Sequence, residues 1–213
     1  MIATVIGGTG LTGSLLVRKL LDDPAITKVI SVARRPPEIP NAKLTEVLVR
    51  DLAELPSIES TIRGELYFCC LGTTIELAGS KENFEKVDHD AVEAFAKIAN
   101  AHSARSFTLI SAMLANANSM FFYNRVKGRT ENDVRAVGLR SLIIFRPALL
   151  VGHRREFRLA EAIASKVLVP PSRFLPTGVR KRFITPVETL AGRMLAEGKA
   201  ALAGVYVIEA KYI

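Results

Sequence analysis

A short β-branched run, Ile2-Ala3-Thr4-Val5-Ile6, leads straight into Gly7-Gly8-Thr9-Gly10-Leu11-Thr12-Gly13. Behind the glycines, Leu11, Leu15, Leu16, Leu20 and Leu21 recur at helical spacing until Asp22-Asp23-Pro24 breaks the pattern. The segment therefore reads strand, glycine loop, helix. The loop satisfies G-x-G-x-x-G from Gly8 and G-x-x-G-x-x-G from Gly7. Glycines permit the tight turn and let backbone approach a pyrophosphate, while the first turn of the helix offers free N–H groups and a partial positive charge. Residues 7–13 are thus candidate phosphate ligands, and the alternative is a plain tight turn with no ligand. No single feature narrows the fold further, because such a loop belongs to a parallel α/β sheet.

The rest of the chain keeps that rhythm. Residues 28–33 (KVISVA) read as a second strand, stopped by Arg34-Arg35-Pro36-Pro37. Leu44–Val49 reads as a third and Glu65–Leu71 as a fourth, too apolar to face water. Ser80 begins a long helix whose apolar face is Phe84, Val87, Ala91, Phe95 and Ile98. A fifth strand (107–111), a helix (about 121–137) and a sixth strand (142–146) follow, the last ended by Pro147. Beyond residue 150 the pattern loosens: a helix at 155–167, a proline-rich loop at 170–178, a helix near 186–197 and a strand at 205–208. Continuous apolar strands alternating with amphipathic helices predict an α/β fold, a doubly wound parallel sheet covered on both faces by helices. Residues 1–213 are expected to form one domain, with a cofactor-binding core at 1–150 and a small C-terminal substrate-side extension at 151–213. The 213 residues are 49% hydrophobic and 23% charged, which suits one well-packed domain and excludes a disordered, collagen-like or coiled-coil chain.

Two further groups of residues bear on chemistry. At the end of the second strand, where an NAD-reading site places Asp or Glu on the ribose, this chain has Ala33-Arg34-Arg35. Guanidinium groups suit a 2′-phosphate, so NADP(H) is the expected cofactor; a solvated turn before the prolines is the bland reading. Tyr123 and Lys127 stand four apart on a helix and share a face, and Ser111 closes the fifth strand twelve residues earlier. Singly, each has an ordinary explanation. Behind a glycine loop, the three can converge where strand ends meet a bound dinucleotide.

Glycine loop, Ser111 and Tyr123-Asn124-Arg125-Val126-Lys127 resemble the short-chain dehydrogenase/reductase superfamily in its extended or atypical branch. Phe68-Cys69-Cys70-Leu71-Gly72-Thr73-Thr74, Val87-Asp88-His89-Asp90, Tyr123 to Gly128 and Phe145-Arg146-Pro147 narrow the resemblance to the oxidoreductases related to the human Tat-interacting protein. It covers about residues 1–152 well and implies an NAD(P)-binding Rossmann-like fold and NADP(H) binding. It implies that Ser111 hydrogen-bonds the substrate oxygen and that Tyr123 is the general acid/base. Lys127 would bond the nicotinamide ribose and lower the Tyr123 pKa from its reference near 10. It further implies that Asp51-Leu52 lies near the adenine, that Leu71-Gly72-Thr73-Thr74 passes along the cofactor, and that Pro147-Ala148, after Arg146, lies near the nicotinamide. Ala148 stands where that branch commonly has glycine, and the short C-terminal part argues against a bulky nucleotide-sugar substrate. A monomer or homodimer is expected.

Charge and cysteines set the remaining expectations. The net charge is +8, with 18 basic against 16 acidic residues over 1–150 and 11 against 5 over 151–213. The basic excess, in Arg154-Arg155 and Arg180-Lys181-Arg182, suits an anionic small-molecule substrate or an acidic protein partner; a solvated face is the bland reading. Nucleic-acid binding is not expected, for no aromatic-interleaved basic motif or helix-turn-helix signature is present. A noncatalytic NADP(H)-binding regulator docking a protein partner is the competing function. Cys69 and Cys70 are adjacent, so they build no disulfide framework or zinc site, and no metal is expected. They read as packing residues. His89, His102 and His153 show no catalytic partner, and Asp88 and Asp90 read as helix surface. The uncharged stretch Ser106–Asn124 carries too many polar residues to span a membrane, and the N-terminus lacks a basic leader, so a cytoplasmic location is expected.

Overall fold

The structure, a computed structural model of the chain, describes residues 1–36, 39–152 and 184–213. Seven parallel strands form the central sheet: β1 (Ile2–Ile6), β2 (Lys28–Ala33), β3 (Leu44–Leu48), β4 (Leu66–Cys69), β5 (Ser106–Ile110), β6 (Ser141–Arg146) and β9 (Gly204–Glu209), in the spatial order β3-β2-β1-β4-β5-β6-β9. The strand order reverses between β1 and β4. In open α/β sheets a ligand crevice lies outside the carboxyl ends at such a point.

Alternation along each strand feeds two cores. Tyr67, Cys69, Leu142 and Ile144 point to one face, packed by α4 (Ala91–Ala101) through Val92, Phe95 and Ala96 and by α5 (Phe122–Ala136) through Val134. Leu66, Phe68, Ile143 and Phe145 point to the other, packed by α1 (Leu11–Asp22) through Leu16, Val17 and Leu20, and by α6 (Val187–Ala200) through Leu190 and Met194. Each Val, Leu, Ile, Phe or Met among them contributes roughly 1.5–3 kcal/mol when fully buried. The doubly wound parallel sheet expected from the sequence is therefore the fold.

Three elements differ from the sequence reading. Leu52–Ile62 is a 3₁₀ segment containing Pro56, a stretch without a clean period. The long helix expected from Ser80 is divided: Ser80 Oγ accepts from the Asn83 N–H at 3.1 Å to start α3 (Lys81–Glu85), a π-helical turn spans Lys86–Asp90, and α4 follows. A separate parallel pair joins β7 (Leu149–Val151) to β8 (Ile184–Pro186). Of residues 151–213, α6 and β9 complete the main sheet and its helical layer. The expected helix at 155–167, the loop at 170–178, His153 and the basic clusters at 154–155 and 180–182 lie outside the described residues.

Candidate functional site

The glycine loop sits at the carboxyl end of β1. Gly7 has φ +77° and a Cβ there would meet the Cys70 carbonyl oxygen at 2.7 Å; a Cβ on Gly13 would collide with the Gly7 carbonyl. Only glycine fits at these two positions, and the loop stays close to the strand ends. Gly10 precedes α1 with no side-chain cap, and the first turn holds no acidic residue, so the backbone amides of Leu11, Thr12 and Gly13 keep their partial positive charge. The Thr12 hydroxyl is buried with no protein partner among the described residues. An open cradle, an uncapped helix start and an unpartnered hydroxyl fit a pyrophosphate. Gly8 and Thr9 complete the turn.

Around this cradle the other expected residues line the same sheet edge. Arg34 and Arg35 are exposed just after β2. Asp51 and Leu52 follow β3, with Asp51 Oδ1 accepting from the Ala53 N–H at 3.0 Å to start the 3₁₀ segment. Leu71, Gly72, Thr73 and Thr74 follow β4 across the switch point, and Thr74 starts α2 (Ile75–Ala78) by accepting from the Leu77 N–H. Pro147 and Ala148 are buried beyond β6: the Pro147 carbonyl accepts from the Met113 N–H at 2.9 Å, and the Ala148 N–H donates to Thr185 Oγ1 at 3.0 Å.

Tyr123 and Lys127 lie on successive turns of α5. The Tyr123 ring packs against Phe84 with centroids 5.5 Å apart. Lys127 is 5% exposed and its Nζ lies 2.7 Å from Oδ1 of Asp88, which is fully buried. The contact is charge to charge rather than a well-directed hydrogen bond. The other oxygen of Asp88 accepts from the Thr73 N–H at 2.9 Å, and the Asp88 carbonyl accepts from Thr130 Oγ1. The reading of Asp88 as helix surface is thereby corrected. Burial disfavours the Lys127 charge, but the Asp88 carboxylate outweighs it and holds the ammonium's pKa above the ordinary lysine value. For Tyr123, burial pushes the phenol pKa up, Lys127 pulls it down, and Asp88 adds to the upward push, so the balance lies above the ordinary tyrosine value. The pull of Lys127 does not win, so the lowering of the Tyr123 pKa below its reference that the resemblance implies is not what this balance gives.

Ser111 takes a different set of partners. Its hydroxyl donates to Glu131 Oε1 at 2.6 Å, and Glu131, 1% exposed, also accepts from Arg146 through Nε at 2.9 Å and Nη2 at 2.7 Å, and from Arg135 at 3.0 Å. Burial pushes the Glu131 carboxyl up, but Arg146, Ser111 and Arg135 together hold it below the ordinary glutamate value. Asp88 and Glu131 are the two site residues that sequence reasoning missed. The signal existed: Asp88 stands four residues from both Phe84 and Val92 on the apolar face, and Glu131 repeats the four-residue step from Tyr123 through Lys127. His89 has carboxylate partners on both ring nitrogens, Asp90 at 2.8 Å and Asp133 at 2.7 Å, which assigns it to packing π turn against α5. Cys69 is buried with its thiol pKa pushed up to about 12, as befits a packing residue. Among the described residues no group of side chains could hold a metal ion, and no helix is long and apolar enough to cross a membrane.

These features define a dinucleotide-binding α/β protein, and the comparison with protein families gives the class: residues 7–166 match the NAD(P)H-binding family, to which the chain belongs. Its curated relatives include the mitochondrial protein fmp52 of Emericella nidulans, 37% identical over 166 residues that span 75% of this chain and 71% of the relative. The mitochondrial fmp52 of Aspergillus fumigatus is 34% identical over 208 residues, spanning 94% and 88%. These relatives are FMP52 proteins, which corrects the narrower resemblance to the Tat-interacting-protein-like oxidoreductases. Their names, each including "mitochondrial", overturn the cytoplasmic location expected from the sequence. Among solved structures, MoeE5 in complex with UDP-glucose and NAD superposes with a TM-score of 0.73 at 17% identity, covering 98% of this chain and 75% of that one. Uronate dehydrogenase from Agrobacterium tumefaciens does so with 0.71 at 14%, covering 98% and 76%. At that identity the likeness is one of fold alone, the parallel α/β Rossmann-like architecture.

Proposed function

We propose that this chain is an NADP(H)-dependent oxidoreductase acting on a small carbonyl or alcohol compound, with Tyr123 as general acid/base, Lys127 beside it and Ser111 as the third polar group. The observation that carries the reading is the chain Thr73–Asp88–Lys127, which holds the Tyr123/Lys127 face of α5 against the stretch following β4 at the switch point. Residues 7–13 would hold the dinucleotide, whose nicotinamide would supply the hydride chemistry at the substrate carbon. In reduction, the Tyr123 O–H bond breaks as its proton passes to the carbonyl oxygen, and the phenolate left behind is reprotonated from solvent. Lys127 stabilises that phenolate by its charge and is the residue placed to bond a ribose hydroxyl. Ser111 has its proton committed to Glu131, so its free lone pairs suit the hydroxyl form of the substrate.

Preference for NADP(H) rests on Arg34 and Arg35, exposed at the end of β2 where no carboxylate stands. Residues 7–13 would hold the pyrophosphate, Asp51-Leu52 the adenine side, and Leu71–Thr74 with Pro147-Ala148 the remainder. The basic excess of 151–213 favours an anionic substrate, and the names of the relatives favour a mitochondrial setting. The test is turnover of a panel of small carbonyl compounds with NADPH and NADH. Tyr123→Phe should lower the rate by about 10²–10⁴-fold while NADPH still binds. Undiminished turnover in that variant rejects the assignment, and so does tight binding with no turnover across the panel.

A further inference from the structure

The Lys127 ammonium is not a free charge beside the phenol. It is matched by one buried carboxylate, and that carboxylate also grips the backbone of the stretch after β4: Asp88 Oδ1 lies 2.7 Å from Nζ, and Oδ2 lies 2.9 Å from the Thr73 N–H. Both side chains are inside the protein, 5% and 0% exposed, so solvent screens neither. A buried cation alone would draw the phenol toward its ionised form. A cation and anion at contact present only a dipole, and their joint pull on a neighbour is much weaker. Resting on the reading of this site given above, we propose that Asp88 is a positioning residue that neutralises Lys127 and joins it to the Leu71–Thr74 stretch, so that Tyr123 keeps its proton and the site is set to donate one.

The other groups nearby do not alter this balance. Lys81 on α3 and Arg125 on α5 lie over the Phe122 ring. Phe84, against the Tyr123 ring, is uncharged. Cys69 on β4, the remaining titratable group felt by Lys127, is held neutral by burial. Asp88 therefore assigns a direction to the chemistry. A protonated phenol serves carbonyl reduction, whereas alcohol oxidation needs the phenolate, and this site reaches the phenolate only at high pH.

The chain has 4 tyrosines and no tryptophan, so tyrosinate absorbance is unobstructed and the protein can be titrated without cofactor or substrate. Subtracting the curve of Tyr123→Phe isolates Tyr123. Its midpoint in the unaltered protein should lie above the ordinary tyrosine value of about 10. Asp88→Asn keeps the shape and an acceptor for the Thr73 N–H but removes the charge, and should lower that midpoint by about one unit, a tenfold change in the ionisation constant. The pH at which alcohol oxidation turns on should fall by the same amount. A Tyr123 midpoint below 10 in the unaltered protein overturns the proposal with no variant needed, as does a folded Asp88→Asn protein whose midpoint is unmoved. An inactive chain whose Tyr123 midpoint lies above 10 and falls in Asp88→Asn keeps this inference and loses the enzymatic one; an active chain with neither feature does the reverse.

Discussion

Glu131 illustrates how much a single buried side chain can organise. Its two carboxylate oxygens take the Ser111 hydroxyl and two guanidiniums, so the end of β5, α5 and β6 meet at one anion, and Arg146 extends the network to Glu209 on β9 at 2.9 Å. Replacing Glu131 by Gln leaves Arg146 without its main partner. Because Arg146 is partly solvated, the expected cost is at the lower end for a broken buried pair, about 2–3 kcal/mol, and calorimetry or thermal scanning should read it as a lower Tm. The folded-state pKa of Glu131 is depressed, so its contribution is complete above the unfolded value of 4.5 and is lost as pH falls through the lower folded value. The loss of Tm on acidification should therefore be smaller in Glu131→Gln. Arg34→Ala with Arg35→Ala is the second test at this scale: the NADPH dissociation constant should rise by about 10- to 100-fold, with NADH nearly unaffected. Residues whose types advertise chemistry, Tyr123 and Lys127 above all, were visible in the sequence. Asp88 and Glu131 carried only a positional signal, the four-residue step on a helix face, and an acid at such a step looks like surface until a cation is known to face it.

At the scale of elements, the least expected feature is the π turn at Lys86–Asp90. A helix that takes in one extra residue shifts the faces that follow it, and here the turn leaves Val87 half-buried and Asp88 wholly inside. Nothing in the apolar spacing of 80–98 announces that shift, since Phe84, Ala91 and Phe95 fit an uninterrupted helix equally well. The turn is clamped from outside by His89, which bridges Asp90 and Asp133 of α5. Burial disfavours the imidazolium, but the two carboxylates overcome it and raise the His89 pKa above 6.5. A raised folded value contributes stability that is complete below the unfolded value and is lost as pH rises through the folded one. Tm should thus decline as pH rises from 6.5 through the raised folded value, and His89→Gln should flatten that decline. An unchanged slope would assign the pH dependence to another group. Strands were the easiest elements to read, because β-branched apolar runs buried on both faces leave little choice; the 3₁₀ segment at 52–62 and the β7–β8 pair have no period to read.

For the whole molecule, the sheet order turns on residues near the end of the chain. Leu190 and Met194 of α6 are fully buried beside α1, and Lys199 meets Asp23 across the same contact at 2.5 Å. Met194→Ala should cost about 2–5 kcal/mol, measured by denaturant unfolding, even though no part of the candidate site touches it. The doubly wound architecture was legible from the first seven elements, whereas the return of the C-terminus to the sheet depends on long-range packing that periodicity does not encode. One small ladder has a wider consequence. β7 and β8 pair in parallel, Leu149 with Ile184 and Val151 with Pro186, so the chain leaves the scaffold at one end of a three-residue strand and re-enters within about 10 Å of that point. Val151 and Ile184 are thereby held at a fixed separation by the pair itself. A change of length between Val151 and Ile184 can therefore be absorbed with both ends of the pair held where they are, and the seven-stranded frame keeps its order.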